Sequence, residues 1–481
     1  MDTSLSVFLG SALLAILLTP LVIRLANRIG AVDQPGVRKV HKHPIARIGG
    51  VAIFLSSMTA LAAVLFGNNA TGEAFRAMQR NLTAVLIGAG FIFVVGLVDD
   101  LRGLPAKIKL LAELAAAGGL CLVGVRIGDI AITEQLVVHT GGWGCLLTIL
   151  WIVGVTNAVN ISDGLDGLAA GVSAIACGVI AVFSFHHGDA VMVVFATAML
   201  GSLCGFLVFN FNPAKVFMGD CGSLFLGFTI AAASVMCVAE STALVGLTLP
   251  ALALGIPIFD TLFSMVRRFL DRRSMFAPDR SHFHHRLLDM GLHQRHAVMM
   301  IYLATLLAAG CGLFMMISED AMALLVFGCV LVLLMLLFRV VGVVHVRKSL
   351  ACLQRKYAAR RIEREDQRVF ENLELHFRET QDAEQWREAI REAASDMDFA
   401  WVSLKTTHAG VDDEERLWRS PKIEQEAGEV VTMTIPFHDG DPATPHEFEI
   451  AIQAHGSLET AGRRVMLFGR LLDEHRVAMD S

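Results

Sequence analysis

Long apolar stretches recur along the first 345 residues of this chain, and few charged residues fall inside them. A helix needs about 20 apolar residues to cross the hydrocarbon core of a membrane. About eleven stretches approach that length, at residues 5–25, 47–66, 82–98, 107–125, 141–158, 167–185, 190–209, 222–239, 243–269, 297–317 and 321–344. The chain is therefore predicted to be a polytopic α-helical membrane protein with about eleven transmembrane helices.

One of these stretches contains two prolines. Pro250 and Pro257 fall within residues 243–269, and a proline inside a helix removes a backbone hydrogen bond. Such a break is tolerated inside a membrane only where neighbouring protein satisfies the freed backbone groups. We therefore expect one broken transmembrane helix.

Charge divides the chain near residue 350. Residues 1–350 contain 23 basic residues (Lys and Arg) and 19 acidic residues (Asp and Glu). Residues 351–481 contain 17 basic and 27 acidic residues. Alternating apolar and polar residues between 398 and 455 indicate strands. We predict a transmembrane domain at 1–345, a charged helical linker at 346–395 and a small soluble cytoplasmic α+β domain at 396–481. The acidic balance of this tail argues against nucleic acid as a partner.

Basic residues cluster on alternate connections between the apolar stretches. Of the 23 basic residues in the first 350, 20 lie on one side, and only Arg76, Arg80 and Arg126 lie on the other. Connections rich in Lys and Arg face the cytoplasm in membrane proteins. The pattern predicts that the N-terminus is outside and that residues 345–481 are cytoplasmic.

The first polar cluster is a pair of adjacent carboxylates at the end of an apolar stretch. Asp99 and Asp100 follow residues 91–98, where burying a charge is costly without a partner or an ion. Lys107 and Lys109 come one short loop later and can neutralise a phosphate there. A helix cap explains a single carboxylate, but the adjacent pair favours a functional site.

The second cluster repeats Asn and Asp at three-residue intervals. Its members are Asn157, Asn160, Asp163 and Asp166. They would share one face if this segment is helical, and hard oxygen ligands of this kind suit Mg²⁺ or a nucleotide. Gly164 and Gly167 would let the backbone approach a ligand closely. An ordinary turn is the simpler interpretation, but it does not need four polar groups on one face.

Two further clusters lie later in the chain. Asp220 stands between two glycines at the start of an apolar stretch, which alone is a weak signal for a metal or phosphate site. The other cluster consists of His282, His284 and His285 in the most basic loop. A histidine cluster can bind Zn²⁺, but the flanking arginines would repel a cation, which favours contact with an anionic phosphate.

Five motifs occur in a fixed order along residues 1–345. They are the stretch from Arg38 to Gly50, the Asp99-Asp100 pair, an N-x-x-N-x-x-DG-x-DG segment, an F-x-GD-x-GS segment and an H-x-HH loop. Together they resemble the polyprenyl-phosphate N-acetylhexosamine-1-phosphate transferases, or glycosyltransferase family 4. The loop from His282 to Leu288 looks like the branch that uses UDP-N-acetylglucosamine.

The resemblance implies a reaction and a setting. N-acetylglucosamine-1-phosphate would pass from UDP-N-acetylglucosamine to undecaprenyl phosphate with release of UMP, with Mg²⁺ or Mn²⁺ as cofactor. This would be the initiating step of cell-surface polysaccharide synthesis, such as that of the O-antigen of lipopolysaccharide, at the bacterial inner membrane. The sequence does not identify which polymer is made. Another UDP-amino sugar, such as UDP-N-acetylgalactosamine or UDP-muramoyl-pentapeptide, and a membrane transporter are the alternatives.

The same resemblance implies roles for particular residues. It implies catalytic roles for Asp99, Asp100 and Asp163, and metal binding by Asp220 and Asn160. It implies substrate binding by Arg47, Lys109, Asp166, Gly167, His282, His284 and His285. The prenyl chain is expected in a groove near Pro257. The tail matches none of the motifs. Our default expectation for it is regulation or pairing with a second copy as a homodimer, and a solvated structural appendage is the alternative.

Overall fold

A computed structural model describes most of the chain. The described residues are 2–34, 44–67, 72–74, 79–131, 137–238, 250–270, 282–318, 320–341, 346–408, 411–421, 430–437, 446–453 and 458–475. The beginning of the first motif, residues 38–43, and residues 243–249 of the ninth apolar stretch lie outside them. The chain divides into two compact units, Met1–Val346 and Arg347–Ser481.

The first unit is built from helices. They are α1 (Asp2–Ile29), α2 (Gly50–Leu65), α3 (Gln79–Arg102), α4 (Ala106–Val123), α5 (Trp143–Ser162), α6 (Leu168–His186), α7 (Ala190–Asn210), α8 (Gly219–Val238), α9 (Gly255–Leu270), α10 (Phe283–Asp289), α11 (Gln294–Met316) and α12 (Asp320–Val340). Two antiparallel pairs of two-residue strands join them: β1 (Val32–Asp33) with β2 (Ile45–Ala46), and β3 (Ile130–Ala131) with β4 (Val137–Val138).

Seven of the described helices are long and apolar enough to cross a membrane. They are α1, α3, α5, α6, α7, α8 and α11. α2 and the segment Leu325–Val340 are apolar but shorter. The prediction of a helical multi-pass membrane protein is confirmed, whereas the number of eleven spans is not.

The predicted broken helix falls partly within the described residues. Helical hydrogen bonds run from the Leu254 N–H to the Pro250 carbonyl and from the Ile258 N–H to the Leu254 carbonyl, both at 2.9 Å. A turn at Leu254 nevertheless interrupts the helix, and α9 begins at the next residue. Pro257 lies in the first turn of α9, where a helix tolerates proline because the N–H groups there have no partner within the helix.

Helix α8 lies at the centre of the first unit. Its membrane-spanning window is 94% buried, more than that of any other described span. A Cβ added at Gly96 of α3 would lie 2.5 Å from the Asp220 carbonyl oxygen, and one added at Gly50 of α2 would lie 2.2 Å from the Gly222 nitrogen. These glycines let α2 and α3 approach the beginning of α8 more closely than any side chain would permit.

The second unit is a four-stranded antiparallel sheet with helices. Its elements are α13 (Val346–Glu379), α14 (Ala383–Asp396), β5 (Phe399–His408), β6 (Val411–Arg419), β7 (Val430–Phe437), β8 (His446–Gln453) and α15 (Leu458–Glu474). The strand order is β6-β5-β8-β7. The predicted strand-containing C-terminal region is thereby confirmed.

The second unit has a hydrophobic core of its own. Phe370 and Phe377 of α13, Trp386 of α14 and Phe448 of β8 are all buried in one cluster. Residues of the predicted linker at 346–395 therefore contribute to this core. The functional division into a transferase domain, a linker and a cytoplasmic domain stays a prediction.

Candidate active site

A cavity of about 1060 Å³ lies where the polar clusters of the first unit meet. The acidic residues that line it are Asp33, Asp100, Asp163, Asp166, Asp220 and Asp289. Among the residues that the structure describes, Arg47 and His285 are the basic ones that line it. The volume is that of a pocket for a small-molecule ligand. This described lining is strongly negative, so an anionic ligand bound against it would need added positive charge.

Lys109 joins three helices beside this cavity. Its Nζ lies 2.7 Å from Oδ2 of Asp99 and 2.8 Å from Oδ2 of Asp220. Asp99 lies in the last turn of α3, Lys109 in the first turn of α4 and Asp220 in the first turn of α8. One ammonium group thus compensates two carboxylates that would otherwise repel each other.

Asp100 fixes the beginning of α8. Its Oδ1 accepts hydrogen bonds from the Asp220 N–H at 3.0 Å and from Arg47 Nη2 at 3.2 Å, and its Oδ2 accepts one from the Cys221 N–H at 2.9 Å. Its side chain has 0% exposure. A carboxylate is favourable at this position because the first N–H groups of a helix have no partner within the helix. The predicted carboxylate pair is therefore divided: Asp99 contacts Lys109, and Asp100 positions Asp220.

Asn160 connects α5 to the same carboxylate. Its Nδ2 donates to Oδ1 of Asp220 at 2.9 Å and lies 2.8 Å from Oγ of Ser223. The two residues predicted to bind metal, Asn160 and Asp220, are therefore direct neighbours. The fold thus brings two residues from distant parts of the sequence together, while metal binding by them stays a prediction.

Glu113 is a buried carboxylate that the sequence patterns did not reveal. It is 2% exposed on α4, and Asn157 of α5 donates a hydrogen bond to it. Glu113 lies four residues after Lys109, so both face the same neighbouring helices. That spacing within an otherwise apolar stretch was the one signal that could have found it.

The loop between α5 and α6 forms one wall of the cavity. Oδ2 of Asp166 accepts hydrogen bonds from Asn212 Nδ2 at 2.9 Å and from the Ala214 N–H at 3.1 Å. Gly167, at φ 79°, precedes α6, and its carbonyl accepts a hydrogen bond from the Tyr302 hydroxyl of α11. Tyr302 was also missed, because a lone tyrosine in a membrane helix carries no pattern.

Asp163 faces the cavity without a compensating cation. Its side chain forms no hydrogen bond or ion pair with any residue that the structure describes. Burial, together with the negative charges of Asp220 and Asp100, raises the pKa of the Asp163 carboxyl to about 8. Such a carboxylate can either hold a proton or bind a cation brought by the ligand.

The three predicted histidines lie at different depths. His285 lines the cavity, whereas Nδ1 of His282 lies 3.2 Å from Oδ2 of the buried Asp260. His284 packs under Gly164, where an added Cβ would lie 2.6 Å from its Nε2. Burial lowers the pKa of His284 to about 3, so its ring is neutral. Of the predicted histidines, the structure brings only His285 to the cavity; substrate contact by the other two stays a prediction.

The expected groove for the prenyl chain near Pro257 stays a prediction, and the described residues there enclose one small cavity. Its volume is about 10 Å³. That volume holds no more than one water molecule.

The donor set of the large cavity fits a hard divalent cation. Asp163 and Asp220 line it, and Asp163 has no cationic partner among the residues that the structure describes. In the described part of the chain, no three His, Cys, Asp or Glu ligand atoms converge within 4.8 Å at this cavity. Mg²⁺ commonly takes only one or two carboxylates and completes its shell with phosphate oxygens and water. A preformed cage of protein ligands is therefore not needed.

Fold and site define a multi-pass helical membrane protein with an acidic, ligand-sized cavity. Residues 82–238 match the family described as Glycosyl transferase family 4. A "Probable undecaprenyl-phosphate N-acetylglucosaminyl 1-phosphate transferase" of Bacillus subtilis is 38% identical over 339 residues, which cover 70% of this chain and 92% of that protein. The chain therefore belongs to glycosyltransferase family 4, as its five motifs predicted.

Other relatives carry similar names. A "Decaprenyl-phosphate N-acetylglucosaminephosphotransferase" of Mycobacterium leprae is 37% identical over 61% of this chain and 79% of its own length. An "Undecaprenyl-phosphate alpha-N-acetylglucosaminyl 1-phosphate transferase" of Escherichia coli K12 is 27% identical over 60% of this chain and 77% of its own. The named relatives share N-acetylglucosamine phosphate transfer and differ in prenyl length.

Proposed function

We propose that this protein transfers N-acetylglucosamine-1-phosphate from UDP-N-acetylglucosamine to undecaprenyl phosphate and releases UMP. The observation that carries the proposal is the meeting of Asp100, Asp163, Asp220 and His285 from four separate motifs at one cavity. The names of the relatives support the sugar. They support two prenyl acceptors, of which we propose undecaprenyl phosphate.

The proposed reaction is a single displacement at phosphorus. An oxygen of the lipid phosphate attacks the phosphorus that carries the sugar. A new P–O bond forms, the P–O bond to UMP breaks, and UMP leaves with the bridging oxygen. A phosphate monoester is already largely ionised near neutral pH, so no strong base is required. Catalysis then depends on positioning and on charge neutralisation.

Lys109 and Asp99 are proposed to orient the lipid phosphate. Lys109 is half-buried beside Asp99 and Asp220, and its ammonium group supplies positive charge where two anionic substrates must meet. Asp100 is proposed to act by holding Asp220 in place, since its carboxylate already accepts three hydrogen bonds.

The nucleotide is proposed to bind along the wall that the loop between α5 and α6 forms. Arg47 and His285 can contact its phosphates, and both line the cavity. Asp166 and Gly167 shape the loop that would receive the nucleoside, since Asp166 holds the turn at Asn212. His282 and His284 are proposed to support this wall from behind.

Asp220 and Asn160 are proposed to hold Mg²⁺ or Mn²⁺, with Asp163 beside them. The bound ion would neutralise the diphosphate and stabilise the charge that develops in the transition state. The surplus of carboxylates over cationic side chains in the described lining of the cavity is the observation that favours a cation there.

We propose that this reaction takes place at the bacterial inner membrane, with the cavity and the C-terminal unit in the cytoplasm. The distribution of basic residues supports this orientation. There the reaction would begin the assembly of a cell-surface polysaccharide.

The experiment is a substrate panel with the purified full-length protein. Undecaprenyl phosphate and decaprenyl phosphate are each incubated with Mg²⁺ and radiolabelled UDP-N-acetylglucosamine, UDP-N-acetylgalactosamine or UDP-muramoyl-pentapeptide. We expect labelled lipid with UDP-N-acetylglucosamine and preference for undecaprenyl phosphate. Preference for another sugar would replace the substrate but keep the chemistry, and no labelled lipid with any of them would contradict the proposal.

A further inference from the structure

A groove of about 600 Å³ runs between α3 and α4, in the half of these helices away from the candidate active site. We call it the α3–α4 groove. Ala84 and Gly88 of α3 and Ala116 and Gly119 of α4 form its walls. Their small side chains leave the space between the two helices open. Ile87, which also lines the groove, is 68% exposed, so the groove faces the surroundings of the helices.

The length of the groove matches one leaflet of a membrane. Its lining on α3 extends from Arg80 to Phe91, a helical rise of about 16 Å. The hydrocarbon core of a bilayer is about 30 Å thick. The groove therefore extends from one membrane surface to about the middle of the bilayer, which is the depth reached by one acyl chain.

Arg80 lies at the surface end of the groove. Among the residues that the structure describes, none forms a hydrogen bond or an ion pair with it. Thr83, one turn further along α3, also lines the groove. A guanidinium group can bind a phosphate through two parallel hydrogen bonds, and the level of Arg80 is that of lipid headgroups.

We propose that the α3–α4 groove binds an anionic phospholipid from the leaflet away from the active site. The headgroup phosphate contacts Arg80, and one acyl chain lies along the apolar walls. The charge of Arg80 and the apolar lining behind it are complementary to such a lipid. This site is independent of the proposed transferase reaction.

The prenyl acceptor fits this groove less well. Its phosphate must reach Lys109 and Asp99, which lie at the other end of the same helices. Asp99 is eight residues beyond Phe91, a rise of about 12 Å. A prenyl chain in the groove would also leave Arg80 without an anionic partner.

Lipid binding to the purified full-length protein tests the proposal. Dioleoyl-phosphatidylglycerol is titrated into the detergent-solubilised protein, and bound lipid is counted by native mass spectrometry. Arg80→Gln should bind it about tenfold more weakly, because it loses a charge-assisted contact. Arg80→Lys should restore most of the affinity, and Arg126→Gln is the matched control because Arg126 is exposed nearby but does not line the groove.

A second pair of variants tests the apolar part. An added Cβ at Gly119 or at Gly118 meets no heavy atom within 4 Å, but only Gly119 lines the groove. Gly119→Leu should fill the groove and weaken binding by a similar factor, whereas Gly118→Leu should bind normally. If Gly119→Leu does not fold, the Arg80 variants still test whether the α3–α4 groove binds the lipid.

Three results would overturn the proposal. One is equal affinity of Arg80→Gln and the unaltered protein for phosphatidylglycerol. Another is binding of phosphatidylcholine, or of glycerol phosphate without acyl chains, with the same affinity as phosphatidylglycerol. That result would mean that the anionic lipid as a whole is not recognised. The third is an unaltered protein that is dimeric and binds no lipid, together with a Gly119→Leu variant that is monomeric. A second copy of this chain would then occupy the α3–α4 groove.

Discussion

Lys109 is the residue whose removal should disturb the site most directly. Its ammonium group lies within hydrogen-bonding distance of Asp99 and Asp220. Lys109→Ala leaves both carboxylates uncompensated and removes positive charge from the reacting phosphates, so kcat/KM should fall by about 100-fold or more. Lys107→Ala is the matched control, since Lys107 is exposed in the same turn. Equal activity of the two variants would contradict the assigned role.

A divalent cation should be required, and Asp220 should be needed to hold it. Excess chelator should abolish UMP release, and Mg²⁺ or Mn²⁺ should restore it. Asp220→Ala should lose on the order of 100-fold in activity. The variant should still be extracted from membranes and elute from a sizing column as the unaltered protein does, because a metal ligand contributes more to the reaction than to packing. Undiminished UMP release in excess chelator would exclude the metal.

His284 should make the protein sensitive to acid. Burial lowers its pKa to about 3 in the folded protein, whereas an unfolded histidine titrates near about 6.5. Between these values the unfolded state binds a proton that the folded state excludes. The free energy of unfolding should therefore fall as the pH drops below about 6.5, by about 1.4 kcal/mol per pH unit for one proton.

Thermal unfolding between pH 7.5 and pH 5 measures this dependence. His284→Gln should reduce the dependence of unfolding temperature on pH. His296→Gln, which replaces an exposed histidine, should leave that dependence unchanged. The same change of unfolding temperature with pH in both variants and in the unaltered protein would mean that groups other than His284 cause it.

At the scale of elements, the close approach of α3 to α8 sets the geometry of the site. Gly96→Ala would place a Cβ 2.5 Å from the Asp220 carbonyl oxygen and 2.6 Å from the Cys221 Cα. Backbone atoms can move away only if the helices separate, so we expect a loss of about 1–3 kcal/mol in stability. Activity should fall as well, because Asp100 would lose its contacts with the beginning of α8.

Gly90→Ala is the control for this substitution. Gly90 lies on the same helix, and a Cβ added there meets no atom within 4 Å. Unfolding temperature and activity are measured for both variants. A Gly96→Ala protein as stable and active as Gly90→Ala would show that this contact does not position the site.

The sequence predicted the elements better than their contacts. Long apolar stretches predicted the helical membrane fold because hydrophobic length is read directly from composition. The motifs predicted Asp99, Asp163 and Asp220, which the structure brings to one region. Glu113 and Tyr302 were missed because their importance arises only from packing between α4 and α5 and between α6 and α11. The depth of His282 and His284 behind His285 was equally invisible in the sequence.

At the scale of the whole molecule, the two units should be separable. The second unit has its own core, including Trp386, Phe448 and Phe468, and every matched motif lies between Arg38 and Leu288. Deleting residues 351–481 should therefore leave measurable transferase activity. If the tail holds a dimer together, truncation should change the size of the complex in detergent more than the turnover. A well-folded truncation without any activity would mean that the tail completes the site.

In the proposed reaction, sugar and phosphate move together to the lipid. UDP-N-acetylglucosamine carrying ¹⁴C in the sugar and ³²P in the sugar-linked phosphate tests it, with the purified protein, undecaprenyl phosphate and Mg²⁺. We expect both labels to enter the lipid in equal amounts and unlabelled UMP to be released. Lipid that carries ¹⁴C without ³²P, with labelled UDP left behind, would exclude the proposed reaction, because the bond broken would then be the one between sugar and phosphate.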